Sequence, residues 1–161
     1  MIRKATLDDA AAITRIYNPF VTDTTVTFET VPVSVDEMRR RIAEISAQYP
    51  YYVWQDDAGE VTGYCYVHAW KPRAAYAYTY EVTIYLAPEA QGQGIGRQMI
   101  SLLINESRQL GAQALIACIT EGNEHSIRLH RSMGFEQVSH FRKVGRKFGQ
   151  VLDVVDLELV L

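Results

Sequence analysis

The stretch Gln91-Gly92-Gln93-Gly94-Ile95-Gly96-Arg97 decides how this 161-residue chain folds. The apolar run Val82–Leu86 before it is closed by Pro88, and Met99–Ile104 after it has the composition of a helix. The sequence therefore predicts a strand, a glycine loop and a helix in succession. Glycines let successive backbone N–H groups converge, and a helix N-terminus adds further free N–H groups and a positive dipole end. Such an arrangement predicts a binding site for a phosphate or pyrophosphate.

Two familiar nucleotide-binding motifs do not fit this loop. The dinucleotide pattern G-x-G-x-x-G fails because, counted from Gly92, Arg97 stands where the third glycine belongs, and no acidic residue follows at the end of the next strand. The Gly-Lys-Ser/Thr ending of the P-loop is also absent. What remains is the pattern Gln91-x-x-Gly94-x-Gly96. For this loop taken alone, a glycine turn without a ligand remains the alternative.

Length and composition predict one globular domain over residues 1–161. Hydrophobic residues make up 48% of the chain and charged residues 22%, which is ordinary for a globular protein. The net charge of −3 argues against a nucleic-acid partner, because phosphate backbones favour a basic surface. An apolar run of about 18 residues is absent, and Met1–Lys4 leads into polar residues. We therefore expect no membrane span and no signal peptide.

The two cysteines lie in apolar, strand-like runs. We interpret Cys65 and Cys118 as buried thiols of a cytoplasmic protein, with a disulfide as the open alternative. The four histidines share no zinc-type spacing with either cysteine, so no metal site is predicted.

Hydrophobic periodicity predicts a mixed α/β domain with one main sheet. The basic run Arg39-Arg40-Arg41 is interpreted as the solvated face of the second helix. The predicted elements are a strand from Ile2, a helix ending at Asn18-Pro19, a loop over Thr22–Val33, a helix capped by Ser34, strands Tyr51–Trp54, Val61–Ala69 and Tyr76–Leu86, a helix from Ile95, a strand Ala114–Ile119 buried on both faces, a helix capped by Asn123, and strands Val138–Val144 and Leu152–Leu161 joined by Gly145–Gly149.

A second signature lies at Asn123–Phe135, where an Asn-x-x-Ser helix ends in Gly-Phe. With the glycine loop, it resembles the GCN5-related N-acetyltransferase (GNAT) superfamily. The branch that this chain resembles is the phosphinothricin and methionine sulfone/sulfoximine acetyltransferase group, over about Ile2–Leu159. The segments that carry this narrower resemblance are Ile16–Asn18, Thr24–Glu29, Trp70–Tyr76, Glu81–Tyr85, Leu129-His130 and Lys147–Gly149.

The resemblance implies a GNAT fold, with a mostly antiparallel sheet that is splayed at the cofactor strand and flanked by helices. It also implies acetyl-CoA as co-substrate, without a metal, and direct transfer to the amine of a small amino-acid-like acceptor. A free N–H near the end of Ile84-Tyr85-Leu86 would polarise the thioester carbonyl. The cofactor-binding residues implied are Ile84, Tyr85, Leu86, Gln91, Gly92, Gln93, Gly94, Ile95, Gly96, Arg97, Asn123 and Ser126.

Two residues are predicted to be catalytic. Glu81 lies mid-strand among apolar and aromatic residues, where burying a carboxylate costs free energy unless it has a partner or a catalytic role. We therefore expect Glu81 to act as the general base for the amine. The alternative is an acid in a salt bridge or at a strand edge. His130 is expected to donate to the leaving sulfur or to relay the substrate proton, because imidazole titrates near neutrality. The alternative is a histidine that only packs in its helix.

The acceptor site is expected to include Arg73, Phe28, Tyr76 and Tyr78. Arg73 would grip an α-carboxylate, and the aromatic residues would wall the pocket. Two departures from the branch bear on the acceptor: Gln150-Val151-Leu152 lacks the usual aromatic residue, and Val82 replaces a common small residue. A homodimer through the C-terminal strands is implied by the resemblance. The alternatives for function are acetylation of a protein N-terminus or lysine, and an acyl-CoA-binding sensor without catalysis.

Overall fold

The computed structural model describes residues 1–161 and contains seven strands and four helices. Short 3₁₀ turns at Leu7–Asp9, Ala74–Tyr76 and Pro88–Ala90 connect some of them. In chain order the elements are β1 Ile2–Lys4, α1 Ala10–Asp23, α2 Val35–Ser46, β2 Tyr51–Gln55, β3 Val61–Ala69, β4 Thr79–Leu86, α3 Ile95–Gln109, β5 Ala114–Thr120, α4 Glu124–Ser132, β6 Glu136–Lys147 and β7 Gln150–Val160.

The strands form one sheet in the order β1-β2-β3-β4-β5-β7-β6. All neighbours are antiparallel except β4 and β5, which run parallel. Those two strands pair only over Thr79–Glu81 and Ala114–Ile116, and beyond these residues they diverge. The expected mixed, mostly antiparallel sheet that is splayed at β4 is therefore confirmed.

Each face of the sheet carries its own apolar core, and β3 contributes to both. Cys65 and Val67 join the core that α3 covers, whereas Tyr64 and Tyr66 point to the core under α1 and α2. Successive strand residues point to opposite faces, so the two cores lie on opposite sides. Complete burial of a side chain such as Leu103 on α3 stabilises the fold by about 1.5–3 kcal/mol.

Helix α1 does not end at Asn18-Pro19, as the sequence suggested, but continues to Asp23 with Pro19 inside it. Proline removes one helical hydrogen bond. That loss is offset here because the following turn buries Val21, which is only 1% exposed. Side-chain hydroxyls also cap this end of the helix: Thr24 Oγ1 donates to the Phe20 carbonyl at 2.7 Å.

Two strand boundaries also differ from the prediction. β4 begins at Thr79 rather than Tyr76, because residues 74–76 form a 3₁₀ turn that places the Tyr76 ring against Trp70, with 5.3 Å between ring centroids. β6 and β7 are longer than expected, and only Phe148-Gly149 separates them. Both turn residues have positive φ, 52° and 73°, which suits the twist of a two-residue hairpin.

Both cysteines are free, but only Cys65 is buried. The prediction that Cys118 is buried is wrong, although the neighbouring β5 residues Ile116, Ala117 and Ile119 are buried on both faces of the strand as expected. Cys118 lies on β5 beyond the last residue that pairs with β4, so the divergence of the strands exposes it. None of the four helices combines the length and the hydropathy that crossing a membrane requires.

Candidate active site

A cleft of about 340 Å³ opens where β4 and β5 diverge. Its walls come from the end of β4, the end of β5 and the inner face of α4. The cleft crosses the sheet, because strand hydrogen bonds no longer close the gap. Its lining residues are Phe20, Val26, Glu81, Val82, Thr83, Ile84, Tyr85, Leu86, Gln91, Ala117, Cys118, Ile119, Asn123, His125, Ser126, Leu129 and His130.

The glycine loop lies at one end of this cleft and leads into α3. Gly92 and Gly94 have φ of +73° and +76°, a left-handed conformation that suits glycine. The backbone N–H groups of residues 92–97 donate to no backbone carbonyl. These free donors lie at the start of a 15-residue helix, the arrangement that the sequence predicts, and their binding of a phosphate stays a prediction.

Gly96 at the start of α3 lies against the Leu129 side chain of α4. An added Cβ at Gly96 would lie 2.9 Å from Cδ2 of Leu129, closer than side-chain atoms normally approach. The absence of a side chain at Gly96 therefore lets α3 and α4 pack closely. This contact couples the loop to the helix that carries His130.

The remaining predicted cofactor residues divide into two groups. Ile84, Tyr85, Leu86, Gln91, Asn123 and Ser126 line the cleft. Arg97 is exposed and donates to Ser132 Oγ at 3.4 Å. Gln93 donates to the Glu89 carbonyl at 2.6 Å, within the loop. Asn123 caps α4 as predicted, since its side-chain oxygen accepts from the N–H of Ser126.

Glu81 lies at the base of the cleft with 26% of its side chain exposed. Its nearest basic group is His68, the residue opposite it on β3, with 3.9 Å between Oε1 and Nε2. Burial raises the pKa of Glu81, and its interactions with His68 and with the thiol of Cys118 oppose this rise. A raised carboxyl pKa is the property that a general base working near neutral pH needs.

His130 is 2% exposed and sits in the last turn of α4. Its Nδ1 lies 2.8 Å from the Ser126 carbonyl oxygen, which accepts only, so Nδ1 carries the proton. Nε2 is buried without a hydrogen-bond partner. Burial lowers the pKa of His130, which keeps the ring neutral with a lone pair on Nε2. Of the two predicted roles, this tautomer suits a proton relay better than donation to sulfur.

A second cavity, of about 170 Å³, lies on the α1 and α2 side of β4. It shares Glu81, Thr83 and Tyr85 with the cleft, so one strand separates the two spaces. Its polar lining includes His68 and the ion pair between Arg41 and Glu29 at 2.7 Å. Tyr17 also donates to Glu29. Glu81 is therefore reached from both sides.

Sequence reasoning missed this second cavity. Arg39 and Arg40 lie on a solvated helix face as predicted, but Arg41 does not: it pairs with Glu29 and is 33% exposed. The run of three arginines gave no signal for this difference. The alternation along β3, which places His68 on the same face as Tyr64 and Tyr66, was the available signal for His68.

The four predicted acceptor residues do not line either cavity. Phe28 is 40% exposed and its ring packs against the backbone of β6 at Gly145. Arg73 precedes the 3₁₀ turn that contains Tyr76, and Tyr78 is 57% exposed. Their role in acceptor binding stays a prediction. The structure contains no group of three or more His, Cys, Asp or Glu side chains arranged to hold a metal ion.

Comparison with known proteins decides the family. The family described as "Acetyltransferase (GNAT) domain" matches residues 2–155. The chain belongs to the GNAT acetyltransferase family. It is thus an acetyltransferase by family, and the fold that the resemblance implied is confirmed.

Relatives of this GNAT chain lie in the branch that its sequence resembles. It is 41% identical to a phosphinothricin N-acetyltransferase of Alcaligenes faecalis over 150 residues, 92% of this chain and 76% of the relative. It is 38% identical to an L-methionine sulfoximine/L-methionine sulfone acetyltransferase of Salmonella typhimurium over 99% of this chain and 94% of the relative. A phosphinothricin acetyltransferase of Sinorhizobium meliloti, solved in complex with acetyl-CoA, matches at a TM-score of 0.97 and 38% identity, covering 100% of this chain and 88% of that one.

Proposed function

We propose that this GNAT chain transfers acetyl from acetyl-CoA to the amine of a small amino-acid analogue, of the phosphinothricin, methionine sulfone or methionine sulfoximine type. The observation that carries the proposal is the position of Glu81, whose side chain lines both the cleft and the second cavity. A base in that position would contact a thioester in the cleft and an amine in the second cavity. The names of the relatives support the acceptor class.

The residues present fit acetyl-CoA. Six consecutive free N–H groups at residues 92–97 suit a pyrophosphate, and the unpaired edge of β4 beyond Glu81 suits an extended pantetheine arm. Ile84–Leu86 and Asn123 would flank that arm. When bound, acetyl-CoA supplies a thioester whose carbonyl carbon accepts the amine and whose sulfur departs as a thiolate.

Glu81 and His130 divide the proton transfers. The Glu81 carboxylate removes one proton from the acceptor ammonium, which frees the nitrogen lone pair for attack. A second proton leaves the nitrogen as the C–N bond forms and the C–S bond breaks. The free Nε2 lone pair of His130 accepts that proton and returns it to the departing sulfur, while Nδ1 stays bonded to the Ser126 carbonyl.

The small volume of the second cavity supports a small acceptor. About 170 Å³ holds an amino-acid side chain rather than a folded polypeptide segment. Its lining of tyrosines with one ion pair suits an acceptor that is partly apolar and partly polar. Arg73, Phe28, Tyr76 and Tyr78 remain candidates for the outer part of the acceptor site.

We also propose a cytoplasmic homodimer. Free thiols at both cysteines support a reducing compartment. Apolar side chains on β6 support self-association, because Val138, Phe141 and Val144 are each at least half exposed. Light scattering at micromolar concentration tests this state, and a mass equal to one chain contradicts it.

The experiment for the reaction is release of CoA thiol from acetyl-CoA, measured with phosphinothricin, methionine sulfone, methionine sulfoximine and short peptides as acceptors. We expect turnover of at least one amino-acid analogue and a loss of about 100-fold or more in kcat for Glu81→Gln. Glu136→Gln, an exposed strand carboxylate on β6, is the matched control and keeps its activity. Turnover of peptides alone moves the assignment to protein acetylation, and CoA binding without turnover favours a sensor.

A further inference from the structure

A proton that reaches Glu81 must leave again before the next turnover, and the groups around Glu81 differ in their capacity to accept it. On the β5 and β7 side, the Cys118 thiol lies next to both Glu81 and Asp156. Although the residue as a whole is exposed, the side chains that surround the sulfur desolvate it, and this desolvation together with the two carboxylates raises the pKa of Cys118, so it stays a protonated thiol between the two acids. This side of Glu81 offers no free base in contact with it.

The groups of the second cavity are also poor proton acceptors, with one exception. Burial raises the pKa of Tyr17, Tyr51, Tyr64, Tyr66 and Tyr85, which leaves these phenols neutral. Arg41 is a permanent cation. The Arg41 guanidinium holds the pKa of Glu29 below its usual range, so Glu29 does not retain a proton near neutral pH. The exception is His68.

We propose that His68 carries to solvent the proton that Glu81 removes from the acceptor amine. This inference rests on the proposed function, because it takes Glu81 as the base. His68 faces Glu81 directly across the β3–β4 pairing and lines the second cavity. The Glu81 side chain is 26% exposed and borders the cleft that acetyl-CoA would fill, whereas His68 is 34% exposed and lines the second cavity, so it offers Glu81 a separate path to water.

The hydrogen bonds of the His68 ring give it the tautomer that the relay needs. Nδ1 lies 2.8 Å from the carbonyl oxygen of Ala69, and a carbonyl only accepts, so Nδ1 carries the proton. In the neutral ring, Nε2 then presents a lone pair toward Glu81, with 3.9 Å between Nε2 and Oε1. A hydrogen bond between them requires an approach of about 1 Å, which rotation of either side chain supplies.

The transfer balances without a further reactant. The acceptor nitrogen gives a proton to the Glu81 carboxylate, which becomes a carboxylic acid. That acid passes the proton to Nε2 of His68, which becomes an imidazolium and restores the carboxylate. Water or a buffer base then removes the Nε2 proton, while the other proton stays on Nδ1, hydrogen-bonded to the Ala69 carbonyl. His68 acts through Glu81 and touches neither reacting atom.

The test measures kcat of His68→Ala with acetyl-CoA and L-methionine sulfone, or whichever analogue turns over, in increasing imidazole buffer. At low buffer we expect kcat to fall about 10- to 100-fold with little change in KM for acetyl-CoA. Added imidazole should restore kcat in proportion to its free-base form, because a small base entering the exposed cavity replaces the missing ring. Wild-type kcat should not depend on buffer concentration.

Two further variants keep the test decisive. His68→Gln preserves polarity and volume without a titrating nitrogen, so we expect a similar loss of kcat at low buffer but little restoration by imidazole, because the amide side chain fills the space that the ring left. His140→Ala removes another histidine that pairs with a carboxylate across strands, Nε2 to Asp153 Oδ2 at 2.8 Å on β6 and β7, and should stay within about twofold of wild type. A kcat near that of wild type in both His68 variants, or a loss in His68→Ala that imidazole does not restore, overturns the relay.

The outcome for Glu81→Gln separates this inference from the proposed function. If Glu81→Gln is inactive and imidazole does not restore it, while His68→Ala keeps full activity, only the relay is overturned. Active Glu81→Gln overturns the base assignment and the relay together.

Discussion

Ile116 on β5 lies opposite Glu81 on β4, and this is the last pair of residues that joins the two strands. One residue further along, the sheet opens into the cleft. The carboxyl of Glu81 is therefore held by regular strand pairing on the β3 side while it borders open space on the β5 side. Rigid support with access to a ligand is what a base needs, and the fold supplies both through the divergence of two strands.

Glu81→Gln should raise the melting temperature at pH 7 while it abolishes turnover. A carboxyl whose pKa is higher in the folded than in the unfolded protein binds its proton more tightly when folded. Its contribution to stability is therefore present at low pH and is lost as the pH rises from the ordinary glutamate pKa through the raised value. Replacing the ionised carboxylate by a neutral amide removes that cost at pH 7.

Thermal unfolding of wild type, Glu81→Gln and the control Glu136→Gln between about pH 4 and pH 8 measures this effect. The difference between Glu81→Gln and wild type should shrink as the pH falls, because the wild-type carboxyl then becomes neutral too. Equal melting curves at every pH would mean that Glu81 is not strained by burial.

The sequence contained the information for those parts of the site that depend on local conformation. Gly92 and Gly94 adopt the left-handed turn, and Asn123 caps its helix, because each property belongs to a few adjacent residues. The position of Glu81 in a strand followed from periodicity for the same reason. These features did not require knowledge of which strands are neighbours.

Features that depend on distant contacts were not predictable in this way. The continuation of α1 through Pro19 depends on packing of Val21 in a core built from β2, β3 and α2. The Arg41–Glu29 pair joins a helix to a loop 12 residues earlier. Exposure of Cys118 results from divergence of two strands that are separated in sequence by the whole of α3. Each is a tertiary effect that overrides a local pattern.

Gly94→Ala should weaken acetyl-CoA binding beyond its effect on stability. The φ of +76° costs a residue with a Cβ about 1–2 kcal/mol, although the Cβ itself would meet no atom within 4 Å. The loop relieves this strain by changing φ, which turns the free N–H groups of residues 92–97 away from a common point. We expect KM for acetyl-CoA to rise several-fold, measured by thiol release at saturating acceptor.

The matched control for this variant is Gly59→Ala. Gly59 has a φ of +87° in the turn before β3, and its added Cβ would lie 3.7 Å from the nearest atom. The same backbone strain should lower the melting temperature of both variants while KM for acetyl-CoA changes only in Gly94→Ala. An equal KM for acetyl-CoA in the two variants would mean that the glycine loop does not bind the cofactor.

Lys147→Met should loosen the loop beside the cleft. Lys147 is 4% exposed, and its Nζ donates to the Thr27 carbonyl at 2.8 Å and to the Phe20 carbonyl at 3.4 Å. Methionine fills a similar volume but leaves both carbonyls without this donor, which costs about 1–3 kcal/mol. Because the Thr27 hydroxyl is hydrogen-bonded to Tyr17, which lines the second cavity, acceptor KM should rise as well.

Urea unfolding and acceptor KM, measured together, test this role of Lys147 against Arg146→Met. Arg146 is the preceding residue on β6, and its exposed side chain makes no hydrogen bond or ion pair, so its replacement should change stability by less than about 0.5 kcal/mol. Selective loss of stability in Lys147→Met with a raised acceptor KM would link the buried ammonium to the wall of the second cavity. Loss of stability with an unchanged KM would limit Lys147 to holding α1 against β6.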